Sequence, residues 1–159
     1  MPALPHQPVF ILVNPQMGEN IGATARAMLN FGLQDLRIVA PRDGWPNEKA
    51  DAMSAGALAE MPPVKIFATL SEAVADCTYI FSSAANERDM MKPIVTARHA
   101  DTDMVSRLEN SERVAVILGR ERTGLTNDEI ALSHAMISIP VNVDFNSLNL
   151  AQAAAIIAY

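Results

Sequence analysis

The stretch Ile139-Pro-Val-Asn-Val-Asp-Phe-Asn-Ser147-Leu-Asn149-Leu-Ala-Gln-Ala-Ala-Ala-Ile-Ile-Ala-Tyr159 joins a polar loop directly to the most apolar helix that the sequence predicts. An apolar segment, 135–139, precedes the loop, and Asn146 or Ser147 can cap a helix that begins near Leu148. Helix N-termini carry free backbone N–H groups and partial positive charge, so this loop is suited to hold a polar ligand. Because the helix is apolar nearly all round, we expect it to be buried on more than one side.

The overall composition indicates one domain with a well-formed core. The chain has 159 residues, and 50% of them are hydrophobic; this length is typical of a single domain. The formal net charge of −6 argues mildly against broad, sequence-blind nucleic-acid binding, which usually needs a basic face. A local cluster of basic residues can still override this total.

Cysteine and histidine usage argues against several kinds of site. Cys77 is the only cysteine, so it cannot form an intramolecular disulfide, and its apolar surroundings predict a buried, inert thiol. His6, His99 and His134 are scattered, which gives a metal site no support. No apolar run approaches the ~20 residues that cross a bilayer, and the N-terminus lacks the features of a signal peptide. We expect a soluble, cytoplasmic protein with neither a metal nor a membrane partner.

Alternating apolar runs and helical patterns predict a three-layer α/β domain with a mainly parallel sheet. The predicted strands are 9–13, 36–40, 64–67, 79–82 and 114–118. The predicted helices are 21–31 with Asn20 at its start, 48–60 weakened by Gly56, 70–75, 101–110 led by acidic residues, a short helix capped by Thr126 or Asn127, and 148–159.

Unusual loops follow three of the apolar runs, where ligands bind in open parallel sheets. They are Ser82-Ser83-Ala84, Gly119-Arg-Glu-Arg-Thr-Gly124 and the loop 141–147. No G-x-G-x-x-G follows the first strand and no G-x-x-x-x-G-K-[ST] occurs, which argues against a Rossmann dinucleotide site and a phosphate-binding loop of that type.

Each of these features has an ordinary structural explanation when it is taken alone. Asn20 with Arg26 can be a helix cap with an exposed arginine, and Ser147 with Asn149 a cap with a first-turn polar residue. The Gly119–Gly124 loop can be a solvated turn that contains a weak ion pair. Glycines at both of its ends nevertheless favour close approach of the backbone to a ligand.

Three segments together resemble the three motifs of the SpoU family of RNA 2′-O-methyltransferases, in the SPOUT superfamily. They are Asn20-Ile-Gly-Ala-Thr-Ala-Arg26-Ala-Met-Leu-Asn-Phe-Gly32, Leu118-Gly-Arg-Glu121-Arg-Thr-Gly-Leu125, and Ile139-Pro140 with Ser147-Leu-Asn149-Leu-Ala-Gln152. Their order and spacing fit the family, and they cover essentially the whole chain. The amino-acid sequences of the first two motifs are most similar to the TrmJ-like branch of the family, which methylates the 2′-hydroxyl at the wobble-adjacent end of the tRNA anticodon loop.

The resemblance implies a parallel sheet flanked by helices, with a C-terminal deep trefoil knot that general topology rules would not predict. It implies S-adenosylmethionine bound in a bent form within the knot, and a homodimer whose site combines residues of both chains. It further implies that 1–159 is one methyltransferase domain that lacks the C-terminal tail of TrmJ-like proteins. This agrees with a final helix that shows no Gly, Pro or basic last turn before Tyr159.

Positions that match the family motifs give the expected site residues. The implied catalytic residues are Asn20, Arg26, Glu121, Ser147 and Asn149. The implied cofactor-binding residues, acting largely through backbone groups, are Ser82, Ser83, Ala84, Gly119, Ile139, Asn146, Ser147 and Leu148. We expect Arg120 and Arg122 of the second motif to hold RNA phosphates.

A ribose hydroxyl is a poor nucleophile until its proton is leaving, so the protein must position it and stabilise the developing negative charge. We assign that stabilisation to Arg26 rather than a general-base role, because a guanidinium hardly ever loses its proton. Two alternatives remain open: an rRNA 2′-O-methyltransferase, and a non-catalytic RNA-binding or cofactor-sensing module. The joint presence of all five implied catalytic residues disfavours the second.

Overall fold

A seven-stranded parallel sheet forms the centre of the computed structural model, which describes residues 6–84 and 92–159. In chain order the strands are β1 (Val9–Val13), β2 (Leu36–Val39), β3 (Lys65–Phe67), β4 (Tyr79–Ala84), β5 (Ile94–Thr96), β6 (Val114–Leu118) and β7 (Ala135–Ser138). They lie in the order β3-β2-β1-β6-β4-β7-β5, and every pairing is parallel. The predicted α/β class with a parallel sheet is therefore confirmed.

Helices cover both faces of this sheet. They are α1 (Gly18–Asn30), α2 (Glu48–Met53), α3 (Ala57–Glu60), α4 (Leu70–Ala73), α5 (Ala97–Glu109), α6 (Asn127–Ala131) and α7 (Leu150–Ala158). Side chains alternate along a strand, so Phe10 and Leu12 enter the core beneath α1, α5 and α7, whereas Val9 and Ile11 enter the core beneath α4 and α6. This explains why all five residues of β1 are apolar and buried.

The final helix is buried along one stripe only, whereas its apolar composition predicted burial on more than one side; Ile156 is 41% exposed. α7 packs against both α1 and α5, and Leu150, Ala154 and Ile157 are its buried residues. α1 also packs closely against α2, and Gly22 permits this approach, because a Cβ there would collide with the carbonyl oxygen of Ala50. These contacts fix the N-terminal ends of α1 and α7 near one another at the carboxyl edge of the sheet.

Two helices are capped by residues other than those predicted. α1 begins at Gly18 with Met17 at its N-cap, so Asn20 lies inside the first turn and its side chain is free to reach another element. α7 begins at Leu150, because Asn149, rather than Asn146 or Ser147, accepts a hydrogen bond from the Ala151 N–H and forms a capping box with Gln152.

The remaining differences are element boundaries and one strand that the sequence did not predict. The helix predicted for 48–60 is divided in two: α2 ends at Met53, and Gly56, with a φ of 87°, is the N-cap of α3. Strand β4 continues to Ala84, so Ser82-Ser83-Ala84 is strand rather than loop. β5 was missed because three half-exposed residues at a sheet edge show little pattern, and α5 begins at Ala97, capped by Thr96, without acidic residues in its first turn.

Cys77 behaves as the sequence predicted. Its thiol is free and partly buried, and burial raises the pKa of Cys77 to about 11, so little thiolate exists at neutral pH. Within the described ranges, helices long and apolar enough to cross a bilayer are absent.

Candidate active site

A cavity of about 270 Å³ opens at the carboxyl ends of β4, β6 and β7. Its walls come from the end of β4, the loop that follows β6 and the loop between β7 and α7. Of the residues expected to bind the cofactor, six line it: Ser83, Gly119, Ile139, Asn146, Ser147 and Leu148. Apolar walls are added by Leu118, Leu150 and Ala153.

Two of the residues expected to bind the cofactor, Ser82 and Ala84, are not among those that line the cavity. Ser82 is fully buried, and its hydroxyl lies 3.0 Å from the hydroxyl of Ser133, on the far side of β4 from Ser83. Adjacent strand residues face opposite sides of the sheet, which separates the two serines. Ala84 ends β4, and its side chain lies outside the described part of the structure.

The loop after β7 leaves backbone polar groups available to a ligand. Asn146, Ser147 and Leu148 are exposed, and within the described part of the chain their backbone N–H and C=O groups make no hydrogen bonds. A purine ring needs such donors and acceptors on a partly apolar wall. The cavity therefore fits an adenosyl group bound mainly through main-chain contacts, as expected for S-adenosylmethionine.

A hydrogen-bonded network connects the three motifs beside this cavity. The Asn149 Nδ2 donates to the Asn20 Oδ1 (2.9 Å), and the Asn20 Nδ2 donates to the Glu121 Oε2 (3.1 Å). Asn149 in turn caps α7, while Asn20 is 93% buried in the first turn of α1. The Asn20–Glu121–Asn149 network thus fixes α1, α7 and the loop after β6 relative to one another.

Glu121 is held as a carboxylate by this arrangement. Its oxygens also accept the backbone N–H groups of Gln16 (2.9 Å) and Met17 (2.8 Å), where the positive end of α1 favours a negative charge. Burial raises the pKa of Glu121, but these backbone donors and the Asn20 amide outweigh it and hold the pKa below its ordinary value. Because these three donors stabilise its charged form, the Glu121 carboxylate is a poor proton acceptor.

The loop 119–124 is closed by tight backbone contacts. The Arg120 N–H and C=O pair with those of Gly124 (3.3 and 3.0 Å), and a Cβ on Gly119 would collide with Gly124 and Leu125. Arg122 adopts a φ of 83°, a conformation that is uncommon for a non-glycine residue and costs energy. The glycines at both ends are therefore required by this fold of the loop, as the sequence suggested.

The two arginines of that loop have different environments. Arg120 forms a two-point ion pair with Glu129 (2.8 and 2.9 Å), and its Nη2 donates to Asn14 (2.6 Å). Arg122 is exposed, and none of the described residues accepts a hydrogen bond from its side chain. The pairing of Arg120 with Glu129 could not be predicted, because an acidic residue in the first turn of a helix is explained by the helix dipole alone.

Arg26 lies apart from the other implied catalytic residues. It is on the exposed side of α1, does not line the cavity, and has no hydrogen-bond or ion-pair partner among the described residues. Asn20, Glu121 and Asn149 are in contact, and Ser147 lies in the cavity wall. The structure therefore brings four of the five implied catalytic residues to one place in a single chain.

Comparison with known proteins places the whole chain in one group. The SpoU rRNA Methylase family matches residues 7–159. The chain is 38% identical, over 154 residues, to a Yersinia pestis (strain Pestoides F) protein named tRNA (cytidine/uridine-2′-O-)-methyltransferase TrmJ, covering 97% of this chain and 59% of the relative. It is 36% identical to the Pseudomonas aeruginosa (strain UCBPP-PA14) tRNA (cytidine/uridine/adenosine-2′-O-)-methyltransferase TrmJ, covering 94% of this chain and 58% of the relative. The chain thus spans about three-fifths of the curated relatives' length.

Solved structures agree with this assignment. The crystal structure of TrmJ from Z. mobilis ZM4 superposes with a TM-score of 0.91 at 46% identity, covering 97% of this chain and 68% of that one. A SpoU methyltransferase, AviRb from Streptomyces viridochromogenes in complex with AdoMet, shares the fold alone, with a TM-score of 0.75 at 20% identity over 98% of this chain and 60% of that one. The motifs, the fold and these relatives together establish that the chain belongs to the SpoU methylase family.

Proposed function

We propose that this chain is the catalytic domain of a tRNA 2′-O-ribose methyltransferase that uses S-adenosylmethionine. The observation that carries the proposal is the Asn20–Glu121–Asn149 network beside a cavity with free backbone groups at 146–148. Relatives at 36–38% identity bear names that state tRNA 2′-O-methyl transfer, and we extend that activity to this chain. The anticodon loop is the proposed part of the tRNA.

Residues of the chain have separate roles in this mechanism. Ser83, Gly119, Ile139 and the 146–148 backbone hold the cofactor, which supplies an electrophilic methyl group when bound. Glu121, Asn20 and Asn149 keep the two cavity loops in register, so that the ribose hydroxyl is presented in line. Glu121 does not act as the base, because its hydrogen bonds favour the carboxylate form. A substrate phosphate or water accepts the proton.

Arg26 stabilises the negative charge that develops on the ribose oxygen. Since its guanidinium faces solvent and lines no part of the cavity of its own chain, we propose that it serves the cavity of a second copy in a homodimer. The exposed edge of α1 and α7 supports this, because Phe31 and Tyr159 form an exposed edge-to-face aromatic pair there (5.6 Å).

We also propose that the C-terminal segment is threaded as a trefoil knot. Strand β7 enters the sheet between β4 and β5, and α7 then returns to pack on α1 and α5. The loops that follow β6 and β7 line one cavity, which is the place where such a threading would seat the cofactor. A cytoplasmic location follows from the tRNA substrate and belongs to the same proposal.

We propose that Arg122 contacts RNA. Phosphate binding by Arg120 stays a prediction, because a phosphate would have to compete with Glu129 for this arginine. The chain is acidic overall and shorter than its relatives, so we expect residues 1–159 alone to bind tRNA weakly. A filter-binding assay that found the same tRNA affinity for residues 1–159 and for the full-length protein would contradict this expectation.

An rRNA substrate is the second candidate, because the matching family is described as rRNA methylases. Full-length protein incubated with methyl-labelled S-adenosylmethionine and either total tRNA or rRNA separates the two. We expect label in tRNA, at a ribose of the anticodon loop after nuclease digestion. Label in rRNA alone would favour the second candidate, and cofactor binding without label in either RNA would favour a non-catalytic module.

A further inference from the structure

We propose that Arg42, in the loop after β2, binds a phosphate of the RNA substrate at the mouth of the active site, and that Asp43 competes with that phosphate for the arginine. The proposal rests on the proposed function and assigns an RNA contact outside the three family motifs. It begins with the position of the loop 40–47, which the described fold places at the carboxyl edge of the sheet, beside β1.

Hydrogen bonds fix the start of this loop next to the active-site network. The Arg42 N–H donates to the Pro15 carbonyl (3.0 Å), and the side chain of Asn14 donates to the Ala40 carbonyl (3.2 Å). The next residue after Pro15 is Gln16, whose N–H holds the Glu121 carboxylate (2.9 Å). The Arg42 backbone is therefore linked to the Glu121 carboxylate by two hydrogen bonds, through Pro15 and Gln16.

Electrostatics agree with this placement. Asp43, and more weakly Glu121, raise the pKa of Arg42. Glu121 itself is turned inward, toward the α1 N-terminus and Asn20, whereas 60% of the Arg42 side chain is exposed. Arg42 and Arg122 are thus exposed cations, while the carboxylate of Glu121 is occupied by internal donors.

The contact between Arg42 and Asp43 is weak enough to be exchanged. Its two N···O distances are 3.2 and 3.4 Å, both side chains are about half exposed, and the residues are sequence neighbours. Exposed ion pairs contribute little, whereas a phosphate offers a guanidinium a two-point, charge-assisted contact. In a chain of net charge −6, Asp43 also screens the site from other polyanions until RNA displaces it.

Two substitutions with opposite expected signs test the proposal. Arg42→Gln should weaken tRNA binding by the full-length protein roughly fivefold at low salt, and Asp43→Asn should strengthen it about twofold. Because one single-strand phosphate contact contributes a salt slope of about 0.7, the Arg42→Gln deficit should shrink about threefold between 50 and 200 mM salt. The measurement is filter binding of tRNA at both salt concentrations.

Matched controls separate a local contact from net charge. Lys65→Gln removes an exposed positive charge from the amino end of the edge strand β3, and Glu60→Gln removes an exposed negative charge from α3. We expect neither to change the salt slope. Binding by Arg42→Gln equal to that of Lys65→Gln, or an Asp43→Asn protein that binds no better than Glu60→Gln, overturns the proposal.

Methyl transfer to the same tRNA, measured in parallel, distinguishes this proposal from the proposed function. A binding deficit in Arg42→Gln together with no methyl transfer by any protein would uphold the phosphate contact and reject the enzymatic function. Normal methyl transfer by Arg42→Gln, with an unchanged salt slope of tRNA binding, would reject the phosphate contact and uphold the enzymatic function. Failure of the unchanged protein to bind tRNA at all would overturn both.

Discussion

Polar clusters lie at both ends of the strands, and the one at the carboxyl ends borders the cavity described above. At the amino ends, Arg37 in β2 is 2% exposed and pairs with Asp76 (2.6 Å), while Arg113 contacts Asp35 (3.7 Å) and Asp76 (3.4 Å). We call these four residues the amino-end cluster. At the carboxyl ends, the Asn20–Glu121–Asn149 network borders the cavity of about 270 Å³.

The two clusters differ in the polar groups that they leave free to bind a ligand. Arg37 is directed inward, also donating to the Ala73 carbonyl (2.8 Å), and the cavity is lined by no member of the amino-end cluster. At the other end, Glu121 satisfies internal donors, which leaves Arg42 and Arg122 exposed and the 146–148 backbone free. Charge density therefore does not distinguish the two ends of the strands, whereas a cavity with free backbone groups does. Four experiments test this distinction.

The largest effect is expected at Arg26. Arg26→Ala should lower kcat for methyl transfer about 10²–10³-fold, as loss of one transition-state charge stabiliser does. Cofactor affinity, measured by calorimetry, should stay unchanged, because the proposed contact of Arg26 is with the ribose oxygen and not with the cofactor. Lys65→Ala is the control for loss of an exposed cation. A parallel loss of cofactor affinity in Arg26→Ala would remove the proposed role.

Arg37 should matter for stability and not for chemistry. Arg37→Met keeps the volume but removes the donors to Asp76 and Ala73, so we expect unfolding to become easier by about 2–3 kcal/mol in denaturant titration. Methyl transfer per folded molecule should not change. Arg120→Met is the matched variant at the other end of the strands, and it should weaken cofactor binding, since the loop 119–124 lines the cavity. Equal effects of the two variants on cofactor binding would contradict the distinction.

Asn149 combines both kinds of role, and two substitutions separate them. Asn149→Ala removes the cap of α7 and should destabilise the fold by about 1 kcal/mol. Asn149→Asp keeps an acceptor for the Ala151 N–H but cannot donate to Asn20, and it adds a second carboxylate near Glu121. We expect Asn149→Asp to retain most of the thermal stability and to lose cofactor affinity in calorimetry. Unchanged affinity would mean that the network is dispensable.

The smallest effect is the acid response of the amino-end cluster. Arg37 lowers the pKa of Asp76 to about 2, from an ordinary value near 3.8. A lowered folded-state pKa gives stability that is present above pH 4 and is lost as the pH falls toward 2. Because the carboxyl is half exposed, we expect this loss to be only about 1 kcal/mol. Acid unfolding of Asp76→Asn should lack this component; an unchanged acid profile would contradict it.

Much of the fold could be predicted from local sequence. The run Val9–Val13 is apolar throughout because both of its faces are covered, and the alternation of such runs with helical patterns indicates a parallel sheet. The capping boundaries could not be predicted, since Asn146, Ser147 and Asn149 are all good caps by type. The strand β5 was missed because its pairing with β7 comes from a distant part of the chain.

The candidate site divides in the same way. The sequence determined the residue types of the motifs, the family and the glycines that close the loop 119–124, because these depend on local spacing and backbone conformation. Only the tertiary structure decided that Glu121 accepts donors from Gln16, Met17 and Asn20, that Glu129 holds Arg120, and that Arg42 remains exposed beside them. Glu121 and its donors are about 100 residues apart, and Arg120 and Glu129 lie on a loop and on the helix that follows it. A hydrogen bond between such groups depends on how these elements assemble, which local patterns do not encode.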